Sequence, residues 1–124
     1  ELIQTQYATR DGLRFATVAA LVPLKARAWI DLTERRRRGE NVDAKDIEKH
    51  RNDVFRLGAT LPGESGQALP DSIHSDLVRF LAAFPEESGD WPRILDSLER
   101  PFGRGLAPAS LREAIQTYFR LLPA

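Results

Sequence analysis

Apolar residues recur at helical spacing along most of this chain, and the spacing predicts its elements. Over residues 71–84, Ile73, Leu77, Val78, Phe80, Leu81 and Phe84 follow a period near 3.6, one face of a helix running from about Asp71 to Phe84. Leu111, Ile115, Tyr118, Phe119 and Leu122 fall on one side of a last helix over about Ala109 to Leu122. The helix from Asp43 to about Ala59 has the best start signal. Asp43 is placed to cap it, and Asp46 three residues on makes a variant of the capping box. A short helix is expected over Pro92 to Leu98.

Another helix is expected over roughly 18–38, with Thr17 as its cap. Pro23 suits a first turn better than an interior, so the regular part is expected to begin near Leu21 or Val22. Gly39 ends it behind the cations Arg35 to Arg38. Pro- and Gly-rich breaks at 62–70, 85–89 and 101–108 separate the later helices. One segment reads differently. Leu13-Arg14-Phe15-Ala16-Thr17-Val18 alternates apolar and polar behind the turn dipeptide Asp11-Gly12, so residues 1–17 are expected to carry a strand, with residues 1–8 or an upstream segment as its partner. The expected fold is mainly α: a small bundle of four to five helices with a short N-terminal strand pair.

Composition narrows the functions open to such a bundle. The 124 residues suit one domain. The 18 Lys and Arg cancel the 18 Asp and Glu, so no global field draws the chain to nucleic acid or to an anionic membrane. With no Cys, disulfides, thiolate catalysis and Cys-based zinc sites are excluded, and two His make a His-rich metal site a poor expectation. The longest apolar run, Phe15 to Leu24, is interrupted by Thr17 and Pro23 and is too short for a bilayer. With no signal pattern either, the expected location is the cytoplasm. The sequence has no Met and therefore no initiator, so we expect residues 1–124 to be the C-terminal part of a longer chain, with 1–17 leading back to an N-terminal domain.

Two polar features stand out. Lys25 has Leu21, Ala28, Trp29 and Leu32 at i−4, i+3, i+4 and i+7, which puts an ammonium within an apolar stripe. It either lays its stem on the core with its head in water, or presents a cation to a phosphate or a catalytic carboxylate. On the next helix Asp46, His50, Asp53 and Leu57 share a sector of roughly 60°. That sector borders the apolar strip of Ile47, Val54 and Leu61, while Lys49, Asn52 and Arg56 turn towards solvent. A short connection makes the two helices antiparallel neighbours, within which Lys25 can reach Asp46, Asp53 or His50. The bland counterpart is a half-buried ion pair that fixes helix register.

Arg35 to Arg38 can contact nucleic-acid phosphate, but four cations at a helix end more often just face the dipole. Phe102-Gly103-Arg104-Gly105 matches no phosphate-binding loop and reads as a turn. No nucleophilic triad, HExxH or EF-hand pattern occurs.

Across residues 21–57, the stretch from Leu21 through Lys25 and Ala28 to Leu32, followed by Lys45-Asp46 and its apolar helix, resembles the C-terminal half of the AbiEii-like nucleotidyltransferases. That family includes abortive-infection toxins and bacterial relatives. Lys25 with Ala28 fits its "apolar, x, x, Lys, x, x, Ala" opening. Lys45-Asp46 fits its basic-Asp pair, with Asn52-Asp53 competing for that register. The resemblance implies that Lys25 contacts nucleotide phosphate and that Asp46 serves the catalytic network. His50 and Asp53 would support them from behind. It also implies Mg and a nucleoside triphosphate for the full chain, none of them held by this part alone. The implied partners are an N-terminal catalytic half and an antitoxin or RNA acceptor. The family's Gly-Ser turn with its Asp-x-Asp metal site is missing, because Ser65-Gly66 has no carboxylate pair after it. This part is therefore expected to be inactive by itself. The alternative from another class is a helical protein-interaction module with a structural ion pair.

Overall fold

The computed structural model describes the backbone of residues 2–66, 68–102 and 106–121, and side chains over 17–66, 68–98 and 106–121. Among the described residues there are five helices: α1 (Leu2–Arg37), α2 (Ala44–Gly58), α3 (Asp71–Ala82), α4 (Trp91–Phe102) and α5 (Pro108–Tyr118). No strand occurs among the described residues, and the mainly α bundle is the architecture found.

The expected N-terminal strand is replaced by helix. Residues 2–17 belong to α1, Asp11-Gly12 lies inside it rather than at a turn, and Pro23 is an interior residue rather than part of a first turn. Alternation over six residues also suits a helix, and a strand without a partner leaves its ladder groups unpaired, whereas a helix satisfies its own. Pro23 removes one helical donor. It is buried, on the edge of the face that carries Ala19, Val22, Ala26 and Ile30 into the core.

The helix ends follow the chemistry of their residues. After α1, Gly39 adopts φ +87°, a conformation that only glycine takes without strain. Its N–H donates to the Arg36 carbonyl at 3.0 Å and that of Glu40 to Arg35 at 3.1 Å, the two bonds of a Schellman turn. At the start of α2 the Asp43 carboxylate accepts from the Lys45 N–H at 2.9 Å, so Asp43 is the cap the sequence suggested. α5 ends on a second Schellman turn, and here Arg120 takes the left-handed position with φ 55°. Its guanidinium donates to Ser65 Oγ and to the Gly66 carbonyl, both at 3.0 Å, which ties the 62–70 loop to the end of α5. α4 begins one residue before the sequence expectation and continues to Phe102; the expected Gly103–Gly105 turn and Leu122 lie outside the described residues.

The core is aromatic at its centre. Phe55 of α2 is fully buried and meets Trp91 of α4 at a ring separation of 4.7 Å, Phe80 of α3 at 5.4 Å and Phe84 at 6.0 Å. Trp29 of α1 closes the cluster edge-on against Phe80 and Phe84. The last turn of α2 packs against α5. A Cβ on Gly58 would stand 2.8 Å from Ile115 Cγ1, and Ile115 is fully buried with no room to withdraw. Gly58→Val is therefore expected to destabilise the fold by about 1–3 kcal/mol through overpacking, read as a lower urea midpoint at unchanged slope.

Candidate functional site

α2 carries two polar groupings on different flanks of its packing against α1. The first contains the residues singled out in the sequence. The buried face of α1 is Ala19-Val22-Ala26-Ile30, rotated by about one position from the stripe built around Lys25, whose members Leu21, Ala28, Trp29 and Leu32 are all only half-buried. Lys25 thus lies at the border of the core. Its side chain is 28% exposed, and Nζ reaches Asp53 Oδ2 at 3.1 Å. The lysine is therefore partly exposed with its ammonium on a carboxylate of the same chain, the half-buried ion pair named as the bland counterpart.

Asp53 is the centre of this group. Only 7% of the residue is exposed, and its other carboxylate oxygen accepts from Arg56 Nη2 at 2.6 Å. Arg56, placed towards solvent by the helical wheel, turns back one turn to do this. Asp46 behaves differently. It is exposed, and among the described residues its carboxylate makes no ion pair or hydrogen bond; neither a capping-box bond nor a contact with Lys25 is formed. Of the three partners open to Lys25, the structure brings Asp53 to it.

His50 sits beside this pair with Nδ1 buried and without a hydrogen-bond partner. Burial, then the nearby Lys25 ammonium, pushes the His50 pKa below its ordinary value, against the pull of Asp53 and Asp46. The folded state therefore binds this proton less readily than the unfolded chain. Stability from this group is fully present above the unfolded value near 6.5 and falls as pH drops from there to the lowered folded value. Urea midpoints measured from pH 7.5 down to about 5 are expected to decline for the native chain and to decline less for His50→Gln.

The second grouping was not legible as a site in the sequence. A cleft of about 600 Å³ opens between the C-terminal half of α1, α2 and the turn joining α3 to α4. Arg51 forms part of its wall, is only 6% exposed, and uses Nε to donate to Asn52 Oδ1 at 3.1 Å. Burial pushes its pKa down, with Asp90 and Glu48 pulling it back up from beyond ion-pair distance. Arg36 and Arg37 also line the cleft, as does Thr33, whose Oγ1 is buried and unpartnered. One signal for Arg51 was present: it stands four residues after Ile47 and four before Phe55, a guanidinium in an apolar stripe.

The run Arg35 to Arg38 divides between two surfaces. Arg35 Nε and Arg38 Nη2 both hold Glu40, at 3.1 and 3.0 Å. The hydrogen bond from Arg35, followed by that from Arg38, keeps the Glu40 carboxyl below its ordinary range. Arg36 and Arg37 have no carboxylate within ion-pair distance among the described residues. No group of three or more His, Asp or Glu that could hold a metal ion comes together among the described residues, and no described helix is long and apolar enough to cross a membrane.

Fold and polar groupings together define a small helical bundle with one ion-paired cluster centred on Asp53 and one cationic cleft. Compared with known proteins, the chain matches no family model, no curated protein and no solved structure.

Proposed function

We propose that this chain is a helical interaction module of the cytoplasm, in which the Lys25–Asp53 pair is structural. The observation that carries this reading is the closure of the cluster on itself: Asp53 is engaged by two cations, and Lys25 has its carboxylate inside the chain. A lysine held this way has little left to offer a triphosphate. An apolar groove between α1 and α3 suits a protein partner. It is lined by Ala20, Pro23, Leu24, Leu69 and Ile73 and bordered by the Arg27–Asp76 ion pair at 3.3 Å. Leu24 is 63% exposed there and offers apolar surface to a partner.

A second reading retains the resemblance to AbiEii-like nucleotidyltransferases: a helical C-terminal domain that supports the nucleotide site of an N-terminal catalytic half, with Lys25 near phosphate. Magnesium and a nucleoside triphosphate would then be bound mainly by that other half, and an RNA acceptor or an antitoxin would be the further partner. The observation that favours it is Asp46, exposed and unengaged among the described residues, one turn from His50.

Two substitutions in the protein that carries this unit separate the readings. On the interaction reading Lys25→Met lowers stability by about 1–3 kcal/mol and leaves function in proportion to the folded fraction. Leu24→Asp leaves the fold intact and removes partner binding. On the nucleotidyltransferase reading Lys25→Met and Asp46→Asn abolish nucleotide transfer while the fold persists. That result would overturn the interaction reading.

A further inference from the structure

We propose that the cleft walled by α1, α2 and the α3–α4 turn binds a phosphorylated small molecule, its phosphoryl group seated against Arg51 with Arg36, Arg37 and the Thr33 hydroxyl around it. This site lies apart from the Lys25–Asp53 cluster and stands under either reading of that cluster.

Three independent observations converge on the cleft. The first is Arg51. The residue is only 6% exposed and lines the cleft, and among the described residues it has no carboxylate within ion-pair distance, so an anion entering the cleft meets an unpaired guanidinium. Only Nε is hydrogen-bonded, to a neutral amide, so the two terminal nitrogens of the fork are left for a ligand. The second is Thr33, whose buried hydroxyl has no partner in a helix where it could have bonded the preceding turn. A hydroxyl donor beside a guanidinium fork is the donor set a phosphate's oxygens accept from. The third is the sorting of the arginine run. Glu40 holds Arg35 and Arg38, with Asp31 also within ion-pair distance of Arg35, and the two cations without a carboxylate are the two that line the cleft.

Charge and shape select the ligand. Three arginines face one carboxylate, Asp90, so the cleft is cationic in a chain whose net charge is zero. A nucleic-acid strand would need a stripe of exposed cations. Here Arg51 lies within a cleft wall, and the pair Arg35 and Arg38 is already matched by Glu40 and Asp31. The volume of about 600 Å³ is that of a small-molecule site. Trp29 contributes to its lining and offers apolar surface to the rest of such a ligand.

The test is calorimetric titration of the 124-residue chain with inorganic pyrophosphate at constant ionic strength. Saturable one-to-one binding is expected, with a dissociation constant on the order of 0.1–1 mM. Arg37→Gln and Arg36→Gln each weaken it by about three- to tenfold, and Arg51→Gln removes it. Arg35→Gln and Arg38→Gln leave it unchanged. Should Arg51→Gln fail to fold, the exposed double variant Arg36→Gln/Arg37→Gln decides, with a loss of about ten- to a hundredfold expected. No saturable binding by about 10 mM overturns the proposal, as does equal weakening by Arg35→Gln and Arg37→Gln, which marks diffuse charge. A single-stranded RNA that binds with steep salt dependence, while pyrophosphate does not bind, also overturns it.

Discussion

Phe55→Ala is expected to destabilise the chain by about 3–5 kcal/mol, the largest single effect of any side-chain truncation proposed for this fold. Phe55 is fully buried and contacts three other aromatic rings, supplied by α3, the segment just after it and α4. Truncation removes the ring's transfer free energy and leaves a cavity that Phe80, Phe84 and Trp91 can close only by abandoning one another. Native domains are stable by about 5–15 kcal/mol, so the variant is expected to be near the limit of folding, with its thermal midpoint lowered by more than about 10 °C. Differential scanning calorimetry reads this directly. A drop below about 1 kcal/mol would show that the aromatic cluster is not the centre of the core.

Asp53→Ala is the second large effect, at about 2–3 kcal/mol. It strands two cations at once. Arg56 is half exposed and recovers water readily, so most of the loss arises at Lys25, whose side chain is 28% exposed and lies at the core edge. The figure sits below the cost of breaking a fully buried pair because that ammonium keeps some contact with solvent. Asp46→Ala provides the contrast. Its carboxylate is exposed and unpaired among the described residues, and the change is expected to alter stability by less than about 0.5 kcal/mol. Chemical denaturation of the two variants side by side gives the comparison.

How much of this was legible in the sequence depends on the range of the interaction concerned. Local chemistry read well. Gly39 and Asp43 terminate helices as their backbone and side-chain preferences dictate, and of the apolar period of 71–84, Leu77, Phe80, Leu81 and Phe84 lie in the core, while Ile73 is half-buried and Val78 exposed. Residues 13–18 misread because alternation over six residues fits either period, and the choice is made by whether a partner strand exists. Pro23 misled in the other direction. One missing donor is tolerated when the helix is held by packing on both sides of it, as the buried Ala19, Val22 and Ala26 hold it here.

The polar site was half legible for a related reason. Helical spacing put Lys25 beside the Asp46–His50–Asp53 sector, but the choice among the three depends on how α1 lies on α2. A rotation of about one residue position favoured Asp53 over Asp46. The division of Arg35 to Arg38 was out of reach altogether, since Glu40 captures two of them only after the Gly39 turn brings it back. Arg51 carried a readable signal of the same kind as Lys25.

A double-mutant cycle of Lys25→Met and Asp53→Asn, followed by urea denaturation, is the most direct test of the structural role given to this pair. The two changes are expected to couple by about 1–2 kcal/mol, with the double variant losing clearly less than the sum of the single ones. Additivity within about 0.3 kcal/mol would mean that Lys25 is not held by Asp53, and that its ammonium is free for a phosphate after all.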